Sequence, residues 1–279
     1  MFKRVLIAIY KIVPSGIKSL LGQSLFLKPL RDKVLRGRAS YLEASAKIET
    51  QYGNYPINFW FFSTVKEVAK AQKKGIERSL LLNSMTLMQT KKTHNNDCVV
   101  LDIGANFGYL SLVWSNSLSK HNGQVFAFEP NPDVYKTFVK SVNKNNLSAI
   151  ITPEHCALGA EEKQISLYLS ETTSNTIQMA TSKRKVAIDM ITIDGYYKRN
   201  NISRCDLIKI DVDGIELDIL QGGEYVMETF KPIYIVETND DMRIVDFFID
   251  RHYSVLDMQL NEYEIGTDLP LNIFCVPKQ

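Results

Sequence analysis

The sequence predicts an α/β fold built on a doubly wound, mostly parallel seven-stranded sheet with an N-terminal helical extension. From residue 98 onward, short apolar or β-branched runs alternate with helical segments, an order typical of βαβ units in a parallel sheet. Acidic residues follow several of these runs, at the strand ends where open parallel sheets place their ligand crevice. The composition, 45% apolar and 23% charged over 279 residues, excludes wholesale disorder.

The individual elements follow from these runs. Strands are predicted at 98–103, 124–129, 150–157, 206–211, 232–237, 252–257 and 271–276, and helices at 107–120, 131–146, 214–230 and 240–250. Two further runs, 163–169 and 185–193, predict a small β-excursion after the third strand. Upstream, an aromatic patch at 52–62 precedes a helical stretch at 63–89. We therefore predict three parts: a basic amphipathic arm at 1–45, a mostly helical cap at 46–96, and the sheet domain at 97–279.

The charge is distributed unevenly along the chain. Residues 1–38 hold nine basic side chains and one acidic one, a formal charge of +8, while the remainder holds 24 basic and 30 acidic side chains, a charge of −6. The net charge of +2 is thus the sum of a cationic arm and an acidic body.

The first residues of this arm have the pattern of a short amphipathic helix that Pro14 ends. One face is apolar and the other cationic, the apolar positions being Phe2, Val5, Leu6, Ile9, Ile12 and Val13, and the cationic ones Lys3, Arg4 and Lys11. Such a helix can lie on an anionic membrane surface. It can equally pack against its own domain or a partner subunit, and nucleic-acid binding is a third, less favoured alternative. Lys11 interrupts the apolar run after six residues, which argues against a signal peptide.

The cysteines and histidines disfavour a metal site that uses them. The four histidines are scattered, and no cysteine pair has the spacing of metal ligands. The cysteines lie in or beside apolar runs, at Cys98, Cys156, Cys205 and Cys275. We therefore expect buried free thiols and a reducing, cytoplasmic location. If the arm binds a membrane, the protein would lie peripherally on its inner face.

A glycine turn follows the first sheet strand and precedes a helix. It reads Asp102-x-Gly104-x-Asn106-x-Gly108, and its glycines let the backbone approach a ligand closely. This differs from the G-x-G-x-x-G of diphosphate sites. An acidic residue and an asparagine better suit a ligand with a positive amino group. The second strand ends in Glu129, whose carboxylate can accept hydrogen bonds from both hydroxyls of a ribose.

These motifs resemble those of the FkbM family of S-adenosylmethionine-dependent methyltransferases, which have the class I methyltransferase fold. The similar stretches are LDIGANFGYLSL, FAFEPNP, CALGA and DLIKIDVDGIELDILQGG, in order between residues 96 and 240. The resemblance implies that S-adenosylmethionine is the cofactor. Its methionine part would lie against Asp102, Gly104, Ala105, Asn106 and Gly108, its ribose on Glu129, and its adenine near Asn131 and Ala157-Leu158 at the end of the third strand.

A second polar cluster follows the fourth strand. Alternation along this strand directs Lys209 and Asp211 to the same face, and Asp213 and Glu237 add carboxylates at the same predicted rim. We expect Asp211 to be the base or the anchor for an acceptor hydroxyl, with Lys209, Asp213 and Glu237 orienting it. Alternatively, Asp211, Asp213 and Glu237 could hold magnesium by oxygen ligation, which we do not favour.

One residue departs from the family pattern. The usual stretch reads KIDVEG, whereas Asp213 replaces the glutamate here. The shorter side chain retracts the carboxylate by roughly 1.5 Å, enough to matter in catalysis. Either the acceptor lies deeper in this chain or Asp213 caps a helix.

The favoured function is O-methylation of a hydroxyl, with a sugar of a glycan or glycolipid as the acceptor. The alternatives are a non-catalytic S-adenosylmethionine-binding scaffold and an RNA 2′-O-methyltransferase. The acidic body disfavours the RNA enzyme, because an RNA cleft needs basic residues to offset phosphates. The sequence leaves the oligomeric state open.

Overall fold

The computed structural model describes residues 41–90, 98–118, 123–169, 175–176 and 184–278. The predicted arm therefore lies outside the described residues up to residue 40. No helix in the described ranges is long and apolar enough to cross a membrane.

An N-terminal unit of one hairpin and two helices precedes the main sheet. Strands β1 (Glu43–Tyr52) and β2 (Tyr55–Thr64) pair antiparallel around a turn at Gly53, and helices α1 (Val65–Lys74) and α2 (Arg78–Thr90) follow. Thr64 caps α1 by accepting a hydrogen bond from the Glu67 amide at 3.1 Å. Gly75, with φ of 78°, ends that helix.

The hairpin corrects the prediction that residues 46–96 are mostly helical, whereas the helical stretch predicted at 63–89 is confirmed as α1 and α2. On β2 the residues that face the core alternate as period two requires: Ile57, Phe59 and Phe61 are buried. Trp60 and Phe62 on the opposite face are also aromatic, so the apolar pattern looks continuous in the sequence.

The main sheet has seven strands, in the spatial order β12 (Tyr253–Leu256), β13 (Asn272–Pro277), β11 (Ile233–Glu237), β10 (Leu207–Ile210), β3 (Val99–Ile103), β4 (Gln124–Phe128) and β5 (Ile151–Glu154). In this sheet only β13 runs antiparallel to its neighbours. The fold class predicted from the sequence is thereby confirmed. Its first half contains β3 (Val99–Ile103), α3 (Tyr109–Ser117), β4 (Gln124–Phe128), α4 (Pro132–Lys144) and β5 (Ile151–Glu154).

A small sheet of four strands interrupts the alternation, as the β-excursion predicted. It contains β6 (Ala157–Leu158), β7 (Lys163–Leu169), β8 (Asn175–Thr176) and β9 (Arg184–Ile191) in the order β6-β9-β7-β8. The prediction placed Ala157 at the end of the third strand, which is wrong. That strand ends at Glu154, and Ala157-Leu158 pairs in parallel with Met190-Ile191 of β9.

The second half continues with α5 (Ile193–Asn200), β10 (Leu207–Ile210), α6 (Glu216–Gln221), α7 (Glu224–Phe230), β11 (Ile233–Glu237), α8 (Met242–Asp250), β12 (Tyr253–Leu256) and β13 (Asn272–Pro277). One helix was predicted at 214–230, but the structure has two, separated at Gly222-Gly223. A Cβ at Gly222 would lie 2.1 Å from the Gly159 carbonyl oxygen, so the close approach to the small sheet requires glycine there. Helix α5 was not predicted.

Two cores cover the two faces of the sheet. Val100 of β3 belongs to a core shared with the N-terminal unit, α3 and α4, whereas its neighbours Val99 and Leu101 belong to the core under α5–α8. The backbone of β2 is tied to α4 because Ser141 Oγ accepts from the Phe62 amide at 3.0 Å, and Asn145 exchanges two 2.7 Å bonds with Trp60. All four cysteines lie in the described ranges and are buried thiols outside any disulfide, as expected.

Candidate active site

A cavity of about 360 Å³ lies at the carboxyl ends of β3, β4 and β10. The N-terminal unit bounds it from one face of the sheet, and β6 and β7 of the small sheet bound it from the other. Most of the residues predicted for cofactor and acceptor line this cavity: Asp102, Gly104, Ala105, Asn106, Glu129, Ala157, Leu158, Lys209, Asp211 and Asp213.

The glycine turn, residues 104–108, is held against both neighbouring strands. The amides of Gly104 and Ala105 donate to the Phe128 carbonyl of β4 at 3.1 and 2.9 Å. On the other side, a Cβ at Gly104, whose φ is 76°, would lie 2.0 Å from the Asp211 carbonyl oxygen. At Gly108 a Cβ would clash with the Phe138 ring. Glycine is therefore required at both positions by contacts within the protein, and the approach of this backbone to a ligand stays a prediction.

Glu129 is buried at the end of β4 and is hydrogen-bonded by main-chain amides on both of its oxygens. Oε2 accepts from the Asn106 amide at 2.9 Å and Oε1 from the Asn131 amide at 2.8 Å. Burial raises the pKa of this carboxyl to about 7, although the two amides and the Lys209 charge act in the opposite direction. Both oxygens retain lone pairs that can accept further hydrogen bonds, such as those of a diol.

Asn131 has a structural role beside its predicted one. Its side-chain oxygen accepts from the amides of Asp133 at 3.0 Å and Val134 at 3.4 Å, which makes it the N-cap of α4. Its proximity to a bound adenine stays a prediction.

A buried charge pair lies under the glycine turn. Asp102 Oδ2 accepts a 2.5 Å hydrogen bond from Ser111, and its Oδ1 lies 3.4 Å from Lys209 Nζ without a hydrogen-bond partner among the described residues. Lys209 Nζ donates to the Gly104 carbonyl at 2.9 Å and lies 3.3 Å from Asp211. Burial lowers the pKa of Lys209, but the charges of Asp211 and Asp102 outweigh it and raise the pKa, so the ammonium stays protonated.

The position of Lys209 corrects the expectation that it lies at the rim. Its side chain is only 4% exposed, because the carbonyls of the glycine turn close over the ammonium. Asp211, by contrast, keeps a side chain that is 46% exposed. Lys209 therefore connects the glycine turn to Asp211 instead of facing solvent.

Glu237 ends β11, half-buried, next to Asp211. Burial, followed by the negative charge of Asp211 and a side-chain hydrogen bond with it, raises the pKa of Glu237 to about 7. Asp213 is exposed on the loop after β10. It does not cap α6, because the N-cap of that helix is Ile215, without a side-chain hydrogen bond.

The three carboxylates considered for magnesium do not form a metal-binding group. Across the described ranges, no set of three His, Cys, Asp or Glu side chains is arranged to hold a metal ion. Asp211, Asp213 and Glu237 all fall within those ranges.

Sequence reasoning missed the residues that hold the acidic loop, residues 211–214. The buried Glu216 accepts from the Gly214 amide at 3.2 Å and from Asn239 Nδ2 at 2.7 Å. Asn239, in the left-handed region with φ of 47°, also donates to the Val212 carbonyl at 3.1 Å. The position of Glu216, five residues after Asp211 at a helix start, was the available signal.

The N-terminal unit also supplies cavity residues that belong to no motif in the sequence. They are Phe61, Glu67, Lys70, Ile76 and Glu77. The side chains of Glu67 and Lys70, three apart on α1, share one face of that helix.

Comparison with known proteins identifies the family of this chain. The family model described as Methyltransferase FkbM domain matches residues 102–263, more than half of the chain. The chain is 27% identical over 126 residues to the hexuronic acid methyltransferase AglP of Haloferax volcanii, over 45% of this chain and 50% of that protein. It is 24% identical over 149 residues to Methyltransferase 1 of Beauveria bassiana, over 46% of this chain and 59% of that one.

These matches span about half the length of either relative. Among solved structures, the FkbM methyltransferase of Methylobacillus flagellatus aligns with a TM-score of 0.45 and 17% identity, over 68% of this chain and 47% of that one. The family match covers the glycine turn, Glu129 and the acidic loop together. This chain belongs to the FkbM methyltransferase family.

Proposed function

We propose that this protein is an S-adenosylmethionine-dependent O-methyltransferase that methylates a hydroxyl group of a sugar in a glycan or glycolipid. The observation that carries the proposal is the position of Asp211. Its half-exposed carboxylate lies in the cavity beside the glycine turn, paired with a buried lysine that also binds that turn.

The residues of the cavity fit this cofactor. Asp102 Oδ1 is a buried acceptor without a hydrogen-bond partner in the described structure, which suits a ligand with a positive amino group. The turn at Gly104 leaves bare backbone, and Glu129 offers carboxylate oxygens for a ribose diol. When bound, the cofactor supplies an electrophilic methyl group that its sulfonium already activates.

The chain itself must position the acceptor hydroxyl and remove its proton. Asp211 is accessible enough to accept that proton, while Lys209 fixes its carboxylate at 3.3 Å. Glu237 adds a second carboxyl, whose pKa is raised to about 7 by burial and by the negative charge of Asp211. Asp213 is assigned an orienting role at the rim.

A sugar acceptor is supported by the relative that methylates a hexuronic acid and by the carboxylates of the cavity, which can accept hydrogen bonds from sugar hydroxyls. The acidic lining, six carboxylates against two lysines, disfavours the phosphates of RNA. Magnesium is not part of this proposal.

The test compares two matched variants of the same loop, Asp211→Asn and Asp213→Asn. Isothermal titration with S-adenosylhomocysteine measures cofactor binding, and transfer of labelled methyl to a panel of simple hexosides and hexuronosides measures activity. We expect Asp211→Asn to keep binding and to lose about 10²- to 10⁴-fold in kcat, with a smaller loss for Asp213→Asn. Full activity of Asp211→Asn would contradict the assignment of the base.

The alternative of a binding scaffold has its own outcome in the same experiment. Wild-type protein that binds S-adenosylhomocysteine but transfers no methyl to any hydroxyl, of sugars or of other acceptors, would support the scaffold.

We further propose that residues 1–38 bring the enzyme to an anionic membrane surface, where a lipid-linked glycan would be methylated at the cytoplasmic face. The support is their charge of +8 and the apolar stripe of the first residues. Deleting residues 1–38 should abolish cosedimentation with anionic vesicles, and unchanged sedimentation would overturn this part.

A further inference from the structure

The lining of the cavity is strongly acidic, which is a difficulty for a zwitterionic ligand. Six lining residues are acidic: Glu67, Glu77, Asp102, Glu129, Asp211 and Asp213. Among the described lining residues, the cations are Lys70 and Lys209. S-adenosylmethionine carries an α-carboxylate besides its ammonium and sulfonium. That carboxylate needs a cationic partner, because an unpaired charge is costly in a partly buried site.

Lys209 is already engaged by this fold. It is 4% exposed, lies within 3.4 Å of both Asp102 and Asp211, and donates to the Gly104 carbonyl. Its donors therefore point into the protein.

Lys70 is the more accessible of the two lysines. Its side chain is 37% exposed, and its nearest carboxylate, that of Glu77, lies at 3.7 Å, beyond hydrogen-bond distance. The ammonium is thus attracted by Glu77 but keeps its donors for a ligand.

The turn after α1 holds the charged residues Glu67, Lys70 and Glu77 in place on this side of the cavity. A Cβ at Gly75, with φ of 78°, would lie 2.2 Å from Tyr52 Oη, and Glu77 adopts φ of 46°. Tyr52 in turn shares a 2.9 Å hydrogen bond with Tyr109, the first residue of α3. Non-glycine residues in this region of φ are frequent at functional sites. These charged residues therefore keep a fixed position relative to the glycine turn that precedes α3.

The cavity has two chemically different ends. The side bounded by the small sheet is apolar, with Ala157, Leu158, Ile165 and Leu167, which suits an adenine. The side bounded by the N-terminal unit contributes the charged residues Glu67, Lys70 and Glu77, beside the apolar Phe61 and Ile76. Glu129 belongs to the strand end between them, where the ribose is expected.

From this arrangement we infer that Lys70, outside the part of the chain that matches the family model, binds the α-carboxylate of the cofactor. Glu77, whose carboxylate lies 3.7 Å from the Lys70 ammonium, would orient it. The inference rests on the proposed function for the identity of the cofactor. It makes the N-terminal unit a part of the cofactor site, and not only a cover for it.

The test measures binding, independently of any acceptor. Isothermal titration compares S-adenosylhomocysteine with its decarboxylated analogue, which lacks only the α-carboxylate. We expect wild-type protein to prefer S-adenosylhomocysteine by about 10- to 100-fold, the range for a hydrogen bond to a charged group. In Lys70→Met this preference should disappear through weaker binding of S-adenosylhomocysteine alone, and Lys70→Arg should retain it.

The control is Lys66→Met, which removes an exposed lysine of the same helix and should leave the preference unchanged. Binding of the decarboxylated analogue to each variant reports that the site is folded. A preference that survives Lys70→Met, or an equal loss for both ligands, would overturn the inference. Absence of binding of both ligands to wild-type protein would instead overturn the proposed cofactor.

Discussion

Glu129 and Asp211 occupy equivalent places, at the ends of the two strands that flank β3, but the fold treats them differently. Glu129 is 5% exposed and each of its oxygens accepts a main-chain amide. Asp211 is 46% exposed, and its carboxylate lies 3.3 Å from the Lys209 ammonium. The first carboxylate is fixed before any ligand arrives, as a binding group should be. The second stays accessible, as a group that must exchange a proton requires.

The two carboxylates are connected through Lys209 and the glycine turn. Substitutions along this connection should therefore disturb the contrast between the fixed carboxylate, Glu129, and the accessible one, Asp211, to different degrees.

Lys209→Met should have the largest effect, because Lys209 connects the glycine turn, and through it Glu129, to Asp211. It leaves Asp102 buried without its counter-charge and removes the partner of Asp211. Breaking a buried ion pair in this way costs about 3–5 kcal/mol, measured as the loss in free energy of unfolding in urea. The matched control is Lys163→Met, which breaks the exposed pair with Glu161 and should cost about 0–1 kcal/mol. Equal losses in the two variants would contradict the connecting role of Lys209.

Gly104→Ala should separate the glycine turn from the acidic loop. The new methyl group would lie 2.0 Å from the Asp211 carbonyl oxygen, at a positive φ. We expect a loss of roughly 2–4 kcal/mol in stability from the strained φ and the overpacking together. Cofactor affinity should fall with it. Gly266→Ala is the control, since Gly266 also has a positive φ but nothing within 4 Å of a Cβ. It should cost only the backbone strain.

Glu129→Gln tests the fixed side alone. An amide cannot accept from both the Asn106 and Asn131 amides in the same way, and it lacks the charge that would receive ribose hydroxyls. We expect S-adenosylhomocysteine to bind about 10- to 100-fold more weakly at pH 8. In wild-type protein the affinity should rise with pH through about 7, as the carboxyl ionises. A pH-independent affinity would contradict the ribose assignment.

The Glu129 carboxyl should also make the free energy of unfolding depend on pH. Because its pKa is raised in the fold, the protonated form is favoured, so its contribution is fully present below pH 4.5 and is lost as pH rises through about 7. The loss is on the order of 3 kcal/mol. Urea unfolding of the ligand-free protein should therefore show a smaller decrease between pH 4.5 and pH 8 in Glu129→Gln than in wild type.

Glu237→Gln should have the smallest effect, and it tests the surroundings of the accessible carboxylate, Asp211. The wild-type rate should fall as pH drops through about 7, because protonation of Glu237 removes a negative charge from beside Asp211. In the variant this inflection should disappear, with a rate at pH 8 reduced only a few-fold. An unchanged profile would show that the inflection does not come from Glu237.

The elements that carry one clear pattern could be predicted from the sequence alone. The buried strands at β3 and β10 are short apolar runs, and their glycine and acidic ends predicted where a ligand crevice would form. The small sheet was also expected from its two runs. These features depend on neighbours in the sequence, so local patterns report them.

The features that the sequence did not reveal depend on distant contacts. Lys209 is buried because the carbonyls of Ile103 and Gly104 close over it, which alternation along one strand cannot show. The β1–β2 hairpin was hidden because Trp60 and Phe62 put aromatic side chains on the face that normally is polar. Glu216 and Asn239 meet across two loops, and Lys70 reaches the cavity only through packing of α1 on the hairpin.

The shared core of the N-terminal unit and the main sheet has a practical consequence. A recombinant fragment cut at the beginning of the family match would leave Leu112, Val113 and Trp114 of α3 facing water instead of the hairpin and α2. Ser141 and Asn145 would lose the strand edge that they bind. Such a fragment would not be an autonomous folding unit. Expression, and any exchange of modules with relatives, should begin no later than Tyr41, which contacts Phe107 and Thr137.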